Sequence, residues 1–260
     1  MTKKMPKYGM VIDLQKCVGC GACAFACRAE NNTRARGHEQ SFNWADFVVK
    51  TEGVFPNTTS FTLPVLCNHC DEPACIPKCP VSPSAIFKTP EGYVLINDET
   101  CTGCKACMQS CPYSSVTLDE RSLTGETYSV ISYNPKRPPT QPQWADKTEM
   151  IPGCTASGAD TAKKSGAVTP TLNHYESENS KAVRGQHVVE KCTFCHHRVS
   201  HGLQPACVEV CPSKARIFGD QKDPKSEIAK VLKSEKFFRL QEEKGTKPNV
   251  FYVRKYSPRA

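Results

Sequence analysis

The chain has 260 residues, a formal net charge of +8 and 17 cysteines, and only 38% of its residues are hydrophobic. This composition argues against a large aliphatic core as the only support of the fold. The sequence shows no apolar run of roughly 18 residues, no glycine-rich nucleotide-binding motif and no apolar leader. We therefore expect no transmembrane helix, no nucleotide site and no signal peptide. In a reducing compartment this many cysteines are expected to bind metal rather than to form disulfides.

The predicted regular elements are short. In chain order, a strand is predicted over Gly9–Asp13, and a β-hairpin is predicted from residues 85–88 and 93–96. Ser226 is a candidate N-cap for a helix over residues 226–233, and residues 249–254 predict a closing strand. The chain also has four groups of closely spaced cysteines, and we expect a short helix after the last cysteine of each. This pattern predicts an α+β fold with a repeated, ferredoxin-like unit.

Sixteen of the 17 cysteines belong to these four groups, numbered one to four in chain order. Groups one and three share the spacing C-x2-C-x2-C-x3-C, group two has C-x2-C-x4-C-x3-C, and group four has an eleven-residue gap in its middle. The members are Cys17, Cys20, Cys23 and Cys27 in group one; Cys67, Cys70, Cys75 and Cys79 in group two; Cys101, Cys104, Cys107 and Cys111 in group three; and Cys192, Cys195, Cys207 and Cys211 in group four.

The spacing within the groups is typical of ligands to [4Fe–4S] clusters. Three cysteines on a tight loop reach three iron atoms of one cluster, and the fourth, three residues further on, ligates the other cluster of a pair. Four such groups predict four [4Fe–4S] clusters. The charge agrees with this, because four oxidised clusters with their thiolates would contribute about −8 against the +8 of the chain.

Zinc is the main alternative metal for these cysteines. A structural zinc ion binds two C-x2-C pairs that are separated by a spacer, and group four alone would fit this pattern. Groups one and three would crowd four ligands around one tetrahedron, so zinc does not account for the whole set.

No catalytic residue is evident in the sequence. We find no nucleophile–base pair, no pair of acid/base carboxylates and no open metal site. His69, His196 and His197 lie beside cysteines, but every group already has four thiolates. We expect these histidines either to form hydrogen bonds near the clusters or to lie at the surface.

The pairing of groups predicts two modules. Groups two and three form an inner ferredoxin-like module over residues 67–135, and groups one and four form an outer one from residues 1–66 and 187–260. The outer module requires the two ends of the chain to come together. Residues 136–186 form a long insertion without periodicity, which we expect either to dock a partner or to be a plain surface loop. Cys154, within this insertion, is expected to be a free thiol.

The chain resembles the iron–sulfur subunits of the dimethyl sulfoxide reductase family of molybdopterin oxidoreductases. The resemblance rests on the order of the four groups, the wide gap in group four and the sequences of residues 67–75 (CNHCDEPAC), 133–135 (YNP), 189–195 (VEKCTFC) and 249–252 (NVFY). It covers nearly the whole chain apart from the insertion. It implies a subunit with no catalytic residues of its own, which carries electrons between a molybdopterin-containing catalytic subunit and a membrane quinone-reactive subunit in anaerobic respiration.

The resemblance also implies which cysteines share a cluster. The four ligand sets are Cys17, Cys20 and Cys23 with Cys211; Cys192, Cys195 and Cys207 with Cys27; Cys67, Cys70 and Cys75 with Cys111; and Cys101, Cys104 and Cys107 with Cys79. Some relatives have tryptophan at the position of Cys104 and hold a three-iron cluster, so Cys104 implies a four-iron cluster. The group-one cluster is expected to face the molybdopterin subunit, and the group-three cluster the quinone side.

The sequence leaves other functions open. The same set of clusters serves formate dehydrogenase and hydrogenase complexes, although many formate dehydrogenase relatives add a C-terminal membrane helix that is not evident here. A free polyferredoxin carrier would have no use for a partner-docking insertion, and a zinc-stabilised interaction module belongs to a different class. We expect membrane association through partners. The side of the membrane, the direction of electron flow and the terminal substrate stay open, and the family only favours a sulfur or arsenic oxyanion.

Overall fold

The computed structural model describes residues 5–31, 33, 44–114, 129–134, 146–149, 151–166 and 187–255. The strands in these ranges are β1 Tyr8–Asp13, β2 Ala45–Val54, β3 Asn57–Leu66, β4 Ile86–Lys88, β5 Val94–Ile96, β6 Ser132–Asn134, β7 Val188–Glu190, β8 Arg216–Asp220, β9 Phe237–Phe238 and β10 Val250–Val253. The helices are α1 Ala22–Asn31, α2 Ala106–Ser110, α3 Gly158–Ser165, α4 His196–Val199, α5 Ala206–Glu209 and α6 Glu227–Ser234. The mixture confirms the α+β class. None of these helices is long and apolar enough to span a membrane.

A four-stranded sheet in the order β8-β1-β10-β9 joins the first and last parts of the described chain. Strand β1 lies inside this sheet, parallel to β10 and antiparallel to β8. Met10 and Ile12 pack into one core and Val11 into another, and none of the three is exposed. Successive side chains of a strand point to opposite faces, so a strand covered on both faces needs apolar residues at every position. The predicted strand over Gly9–Asp13 is confirmed.

The elements predicted near the end of the chain are also confirmed. The Ser226 hydroxyl accepts a hydrogen bond from the backbone N–H of Ala229 at 3.2 Å and so caps α6. Ile228 of α6 is fully buried against the same sheet face as Val11 and Phe251. The apolar face of α6 therefore covers the side of the sheet that points away from the larger core.

Strands β2 and β3 form a long hairpin that the sequence pattern did not predict. All ten residues of β2 pair with β3; the base of the hairpin is buried, and Val54 and Phe55 at its tip are 82% and 87% exposed. Gly53 has a φ of 95°, and a Cβ there would lie 2.2 Å from the carbonyl oxygen of Asn57. The Phe55–Pro56 turn lacks the Asn-Gly or Asp-Gly signal of a tight hairpin, which explains why the pattern gave no indication of it.

Two smaller sheets lie beside the cysteine groups. Strands β4 and β5 form the predicted hairpin, with Ile86 opposite Ile96. Strands β6 and β7 pair antiparallel, with Ser132 opposite Glu190. Because β6 and β7 lie on either side of the insertion, their pairing closes its base.

Part of the insertion has regular structure that its lack of periodicity did not predict. Helix α3 begins after Ser157, whose hydroxyl accepts a hydrogen bond from the backbone N–H of Asp160 at 3.1 Å, and it ends at Gly166, with a φ of 62°. A helix of two turns with no buried residue shows no hydrophobic period. Cys154 is exposed, and its assignment as a free thiol stays a prediction. Residues 136–145, 150 and 167–186 of the insertion lie outside the described residues.

The helices of the cysteine groups begin earlier than predicted. Helices α1, α2 and α5 each contain the third cysteine of their group, and α2 and α5 end before the fourth. Proline follows Cys111 and Cys211 and disfavours the helical conformation at the residue before it. Accordingly Cys111 is extended, with φ −76° and ψ 115°. In group one Arg28 takes the place of the proline, and α1 continues to Asn31.

Candidate metal centres

The loops of groups one and three have left-handed residues at the same two positions. Gly19 and Gly103, each just before the second cysteine, have φ of 68° and 67°, and Gly21 and Lys105, each just after it, have φ of 75° and 65°. A Cβ at Gly103 would lie 2.4 Å from the carbonyl oxygen of His187, so this position requires glycine. The repeat in the sequence is therefore also a repeat of backbone geometry.

Four cysteines from the two ends of the chain line one cavity, which we call site A. They are Cys17, Cys20 and Cys23 of group one and Cys211 of group four. The cavity has an empty volume of about 440 Å³, and Arg216 also lines it. Cys20 is exposed, so site A reaches the protein surface.

A second cavity, site B, lies beside the first. Its cysteines are Cys192, Cys195 and Cys207 of group four and Cys27 of group one. It has an empty volume of about 290 Å³, and all four cysteines are buried. Burial raises the pKa of the Cys27 thiol, and the charges of the other three cysteines raise it further. The four thiols therefore face one another in the interior.

Site C consists of Cys67, Cys70 and Cys75 of group two and Cys111 of group three. Burial, and after it the charges of Cys67 and Cys75, raise the pKa of Cys111 to about 12. Burial and the same two cysteines also raise the pKa of Cys70 to about 12, although hydrogen bonds oppose the rise. The structure thus brings the four thiols of site C together.

Site D mirrors site C. Its cysteines are Cys101, Cys104 and Cys107 of group three and Cys79 of group two, which line a cavity with an empty volume of about 270 Å³. Cys104 is exposed and Cys107 is buried. Site D, like site A, therefore combines a buried interior with one thiol at the surface.

The sixteen cysteines thus form four sets of four, each with three from one group and one from another. Among the described residues, no three His, Cys, Asp or Glu side chains converge closely enough to hold a single metal ion. At sites A, B and D the thiols instead surround a cavity. A cluster of several iron and sulfur atoms needs thiolates that approach from different directions, so the donor set and the cavities fit a [4Fe–4S] cluster.

The sites follow one another in the order A, B, C, D. Neighbouring sites act on each other through the cysteine pairs Cys23–Cys207, Cys67–Cys192 and Cys75–Cys107. In each pair, burial is the main cause that raises the pKa of the second cysteine, and the charge of the first adds to it. The sites therefore form a row in which A lies beside B, B beside C and C beside D.

Two buried cations accompany this row. Arg216 is 3% exposed and Lys191 is 2% exposed, and neither forms an ion pair with a carboxylate in the part of the chain that the structure describes. The Lys191 ammonium donates to the carbonyl oxygens of Val94 and, at 3.1 Å, of Cys192. A buried cation without a counter-ion is strongly unfavourable. Anionic groups at the cysteine sites would supply the missing negative charge.

Hydrogen bonds point at several thiols. The backbone N–H of Ala215 lies 3.3 Å from Cys211 Sγ, and the Asn31 amide lies 3.5 Å from Cys27 Sγ. Such N–H···S contacts raise the reduction potential of a cluster. Asn31 follows Cys27 by four residues on α1, so helical spacing could have indicated it.

A further pair of hydroxyls was not predicted. Tyr113 and Thr246 hydrogen-bond to each other at 2.5 Å, and their hydrogen bonds to Cys70 oppose the rise that burial causes in its pKa. Thr246 lies far from group two in the chain, so no local spacing relates it to Cys70.

Two of the histidines near the groups are buried and hydrogen-bonded. His69 Nδ1 accepts a hydrogen bond from the backbone N–H of Val94 at 2.9 Å, and its ring stacks on Phe194 with centroids 3.8 Å apart. Burial lowers the pKa of His69 well below its ordinary value. His197 Nε2 donates to the Glu30 carboxylate at 2.9 Å. For these two, hydrogen bonding near the cysteines was the correct alternative.

Comparisons with known proteins cover nearly the whole chain. The 4Fe-4S dicluster domain matches residues 58–128 and 160–221, and the 4Fe-4S binding domain matches residues 8–29. The arsenate respiratory reductase iron–sulfur subunit of Shewanella sp. is 41% identical over 251 residues, which are 96% of this chain and 97% of that protein. A tetrathionate reductase subunit of Salmonella typhimurium is 34% identical, over 95% of this chain and 72% of that protein. A polysulfide reductase subunit of Wolinella succinogenes is 29% identical, over 95% of this chain and 94% of that protein.

Proposed function

The chain belongs to the family of iron–sulfur subunits of molybdopterin oxidoreductases, and from this membership we propose how its clusters, partners and substrate are arranged. It binds [4Fe–4S] clusters. It carries electrons within an oxidoreductase complex of anaerobic respiration and is not the catalytic subunit. Four sets of cysteines in one row are the observation on which the proposals rest.

We propose that each of sites A to D holds one [4Fe–4S] cluster. The cavities lined by four cysteines at sites A, B and D support this assignment, as does the mutual effect of the site C thiols on their pKa values. Bound clusters supply one-electron transfer. The protein itself would supply the cysteine ligands of the clusters, bury sites B and C, and direct N–H groups at the sulfur atoms.

The arrangement of the sites supports a single path with two ends. All four cysteines of site B are buried, whereas Cys20 of site A and Cys104 of site D are exposed. Electrons would therefore enter and leave at sites A and D. We propose that sites A and B form an outer module from residues 1–66 and 187–260, and that sites C and D form an inner module over residues 67–135. The pairing of β1 with β8 and β10 supports the outer module.

The partners follow from the two exposed ends. We propose that a molybdopterin-containing catalytic subunit covers site A. Val18, beside Cys20, is 49% exposed, and Phe25 on α1 is 73% exposed, and an apolar surface of this kind suits a permanent interface. A membrane quinone-reactive subunit would cover site D and attach the complex to the membrane. The insertion over residues 136–186 is a further docking segment in this proposal.

We propose arsenate as the terminal substrate of the complex. The relative named as an arsenate respiratory reductase subunit is 41% identical and matches along 97% of its own length. The tetrathionate and polysulfide reductase subunits are 34% and 29% identical. The substrate itself binds to the catalytic subunit, so this proposal rests on the similarity of the electron-transfer subunits.

Purification of the intact complex tests these proposals. The complex would be isolated without oxygen from its native host through a tag on this chain, reduced, and mixed with arsenate, tetrathionate or polysulfide, while the visible absorbance of the clusters is followed. We expect a molybdenum-containing polypeptide in equal amount and reoxidation by arsenate. Reoxidation by tetrathionate or polysulfide alone would refute the substrate and leave the electron-transfer role intact. If no molybdenum-containing protein is purified with the chain, the proposed catalytic partner is refuted.

A further inference from the structure

Arg216 lies between sites A and B: its side chain lines the cavity of site A, and it contacts Met10, which lines the cavity of site B. It is the first residue of β8, where it is paired with Ile12 of β1, and it is only 3% exposed. The pairing of β8 with β1 fixes the backbone position of Arg216.

The guanidinium has no ordinary counter-ion. Its Nη1 donates to Met10 Sδ at 3.6 Å, a weak acceptor, and its Nη2 is buried with no hydrogen-bond partner. Within the described ranges no carboxylate forms an ion pair with it. A guanidinium stays charged at every pH that the protein tolerates, and a buried charge must be compensated.

Thiols of two different sites act on the guanidinium. Burial opposes the charged form of Arg216, yet its pKa is raised overall, because the charges of Cys23, Cys207 and Tyr252 and a hydrogen bond to the Cys23 side chain outweigh burial. Cys23 belongs to site A and Cys207 to site B. Arg216 also lowers the pKa of Cys207, against the larger effect of burial. The same cation therefore acts on thiolates of both sites.

We propose that Arg216 is a counter-ion shared by sites A and B, and that its charge raises the reduction potentials of both clusters. This inference rests on the proposed function, in which sites A and B hold clusters. Reduction adds an electron to an already anionic cluster, and a nearby buried cation favours the reduced form. Arg216 is thus a positioning residue for charge, and it acts on two neighbouring steps of the electron path at once.

Potentiometric titration of the full, cluster-loaded chain followed by EPR tests the proposal. Arg216→Gln removes the charge, Arg216→Lys keeps it, and Arg239→Gln removes an arginine that packs on the other edge of the sheet, over the Phe251 ring. In Arg216→Gln, we expect the reduction equilibrium constants of the site A and site B clusters to fall at least tenfold, which is about 59 mV for a one-electron couple. The reduction potentials of the site C and site D clusters should not change, and Arg239→Gln should change the potential of none of the four clusters.

Each result shows whether the charge of Arg216 sets the two potentials. Unchanged potentials in an iron-replete Arg216→Gln, or an equal fall at all four sites, would overturn the proposal. If Arg216→Gln does not assemble its clusters, the Arg216→Lys variant tests the role of the charge instead. If Arg216→Lys binds full iron and the reduction equilibrium constants of its site A and site B clusters stay within tenfold of wild type, the role of charge is supported. If Arg216→Lys loses its iron as well, the proposal is overturned. A wild-type protein that holds no iron would refute the proposed function instead, before Arg216 is tested.

Discussion

Cys211, the last cysteine of the chain, lines the same cavity as Cys17, the first. The sheet explains how they meet, because β1 leads into group one and pairs from Tyr8 to Ile12 with β8, which begins shortly after Cys211. The pairing of β1 with β8 thus assembles a metal site from opposite ends of the chain. A cluster at site A would link these ends covalently, through iron, and stabilise the sheet that builds the site.

The crossing of ligands between groups gives a sharp prediction. Cys27 belongs to group one in the sequence but lines site B. We expect Cys27→Ser to alter the EPR signal of the site B cluster and to leave that of site A unchanged. Cys23→Ser, only four residues away, should alter site A instead. If both variants changed the same signal, the crossed assignment would be wrong.

The exposed end of the path can be tested in the same way. Cys104 lines site D, so Cys104→Ser should alter only the site D cluster and leave the other three EPR signals intact. Cys154→Ser, which removes an exposed cysteine of the insertion, should leave all four signals and the iron content at the wild-type level. The simultaneous loss of two signals in Cys104→Ser would contradict the assignment.

The left-handed glycine of group three is expected to be essential. In Gly103→Ala, the new Cβ would meet the His187 carbonyl oxygen at 2.4 Å, so the loop must move and site D should lose its iron. Gly153 also has a positive φ, 74°, but nothing lies within 4 Å of a Cβ there. Gly153→Ala should therefore cost only about 1–2 kcal/mol of backbone strain. Iron content per chain is measured for both variants: it should fall in Gly103→Ala and stay at the wild-type level in Gly153→Ala. Equal iron loss in the two variants would rule out the steric explanation.

His69 is expected to make stability depend on pH. Burial lowers its pKa well below the ordinary value of 6.5, so it stays neutral in the folded chain and becomes protonated on unfolding at lower pH. The contribution of His69 to the free energy of unfolding is therefore fully present above pH 6.5 and is lost as the pH falls below it. The urea concentration at which half of the cluster absorbance is lost, measured without oxygen, should be lower at pH 5.8 than at pH 7.5.

His69→Phe keeps the stacking on Phe194 but cannot accept the hydrogen bond from Val94. We expect a loss of about 1–3 kcal/mol at pH 7.5 for the unsatisfied N–H, together with a smaller difference between the two pH values. His201→Phe, at an exposed position, is the matched control and should change the midpoint little. An undiminished pH difference in His69→Phe would show that another group is responsible.

The parts of the structure that could be predicted are those with a local signal. The spacing of the cysteines indicated iron–sulfur clusters, and the apolar run Gly9–Asp13 indicated a strand. The prolines after Cys111 and Cys211 also carried a local signal, which would have placed the helices before the fourth cysteine. The exchange of ligands between specific groups came from the resemblance to a family and not from spacing.

The remaining features depend on long-range contacts. The β2–β3 hairpin turns at Phe55–Pro56, which has no favourable turn dipeptide. Thr246 reaches Cys70 only because the chain end folds back over group two. Arg216 is one of 34 basic residues, and no pattern in the sequence marks it as the one that lies unpaired between two sites. These features emerge only when the sheet brings distant segments together.

The number of iron atoms per chain tests the central claim most directly. The full chain would be purified without oxygen from its native host, and its iron, acid-labile sulfide and zinc would be measured against protein concentration. Four [4Fe–4S] clusters require about 16 iron atoms and as many sulfides per chain. About four zinc ions with little iron would contradict the account, because each set of cysteines would then hold a single ion.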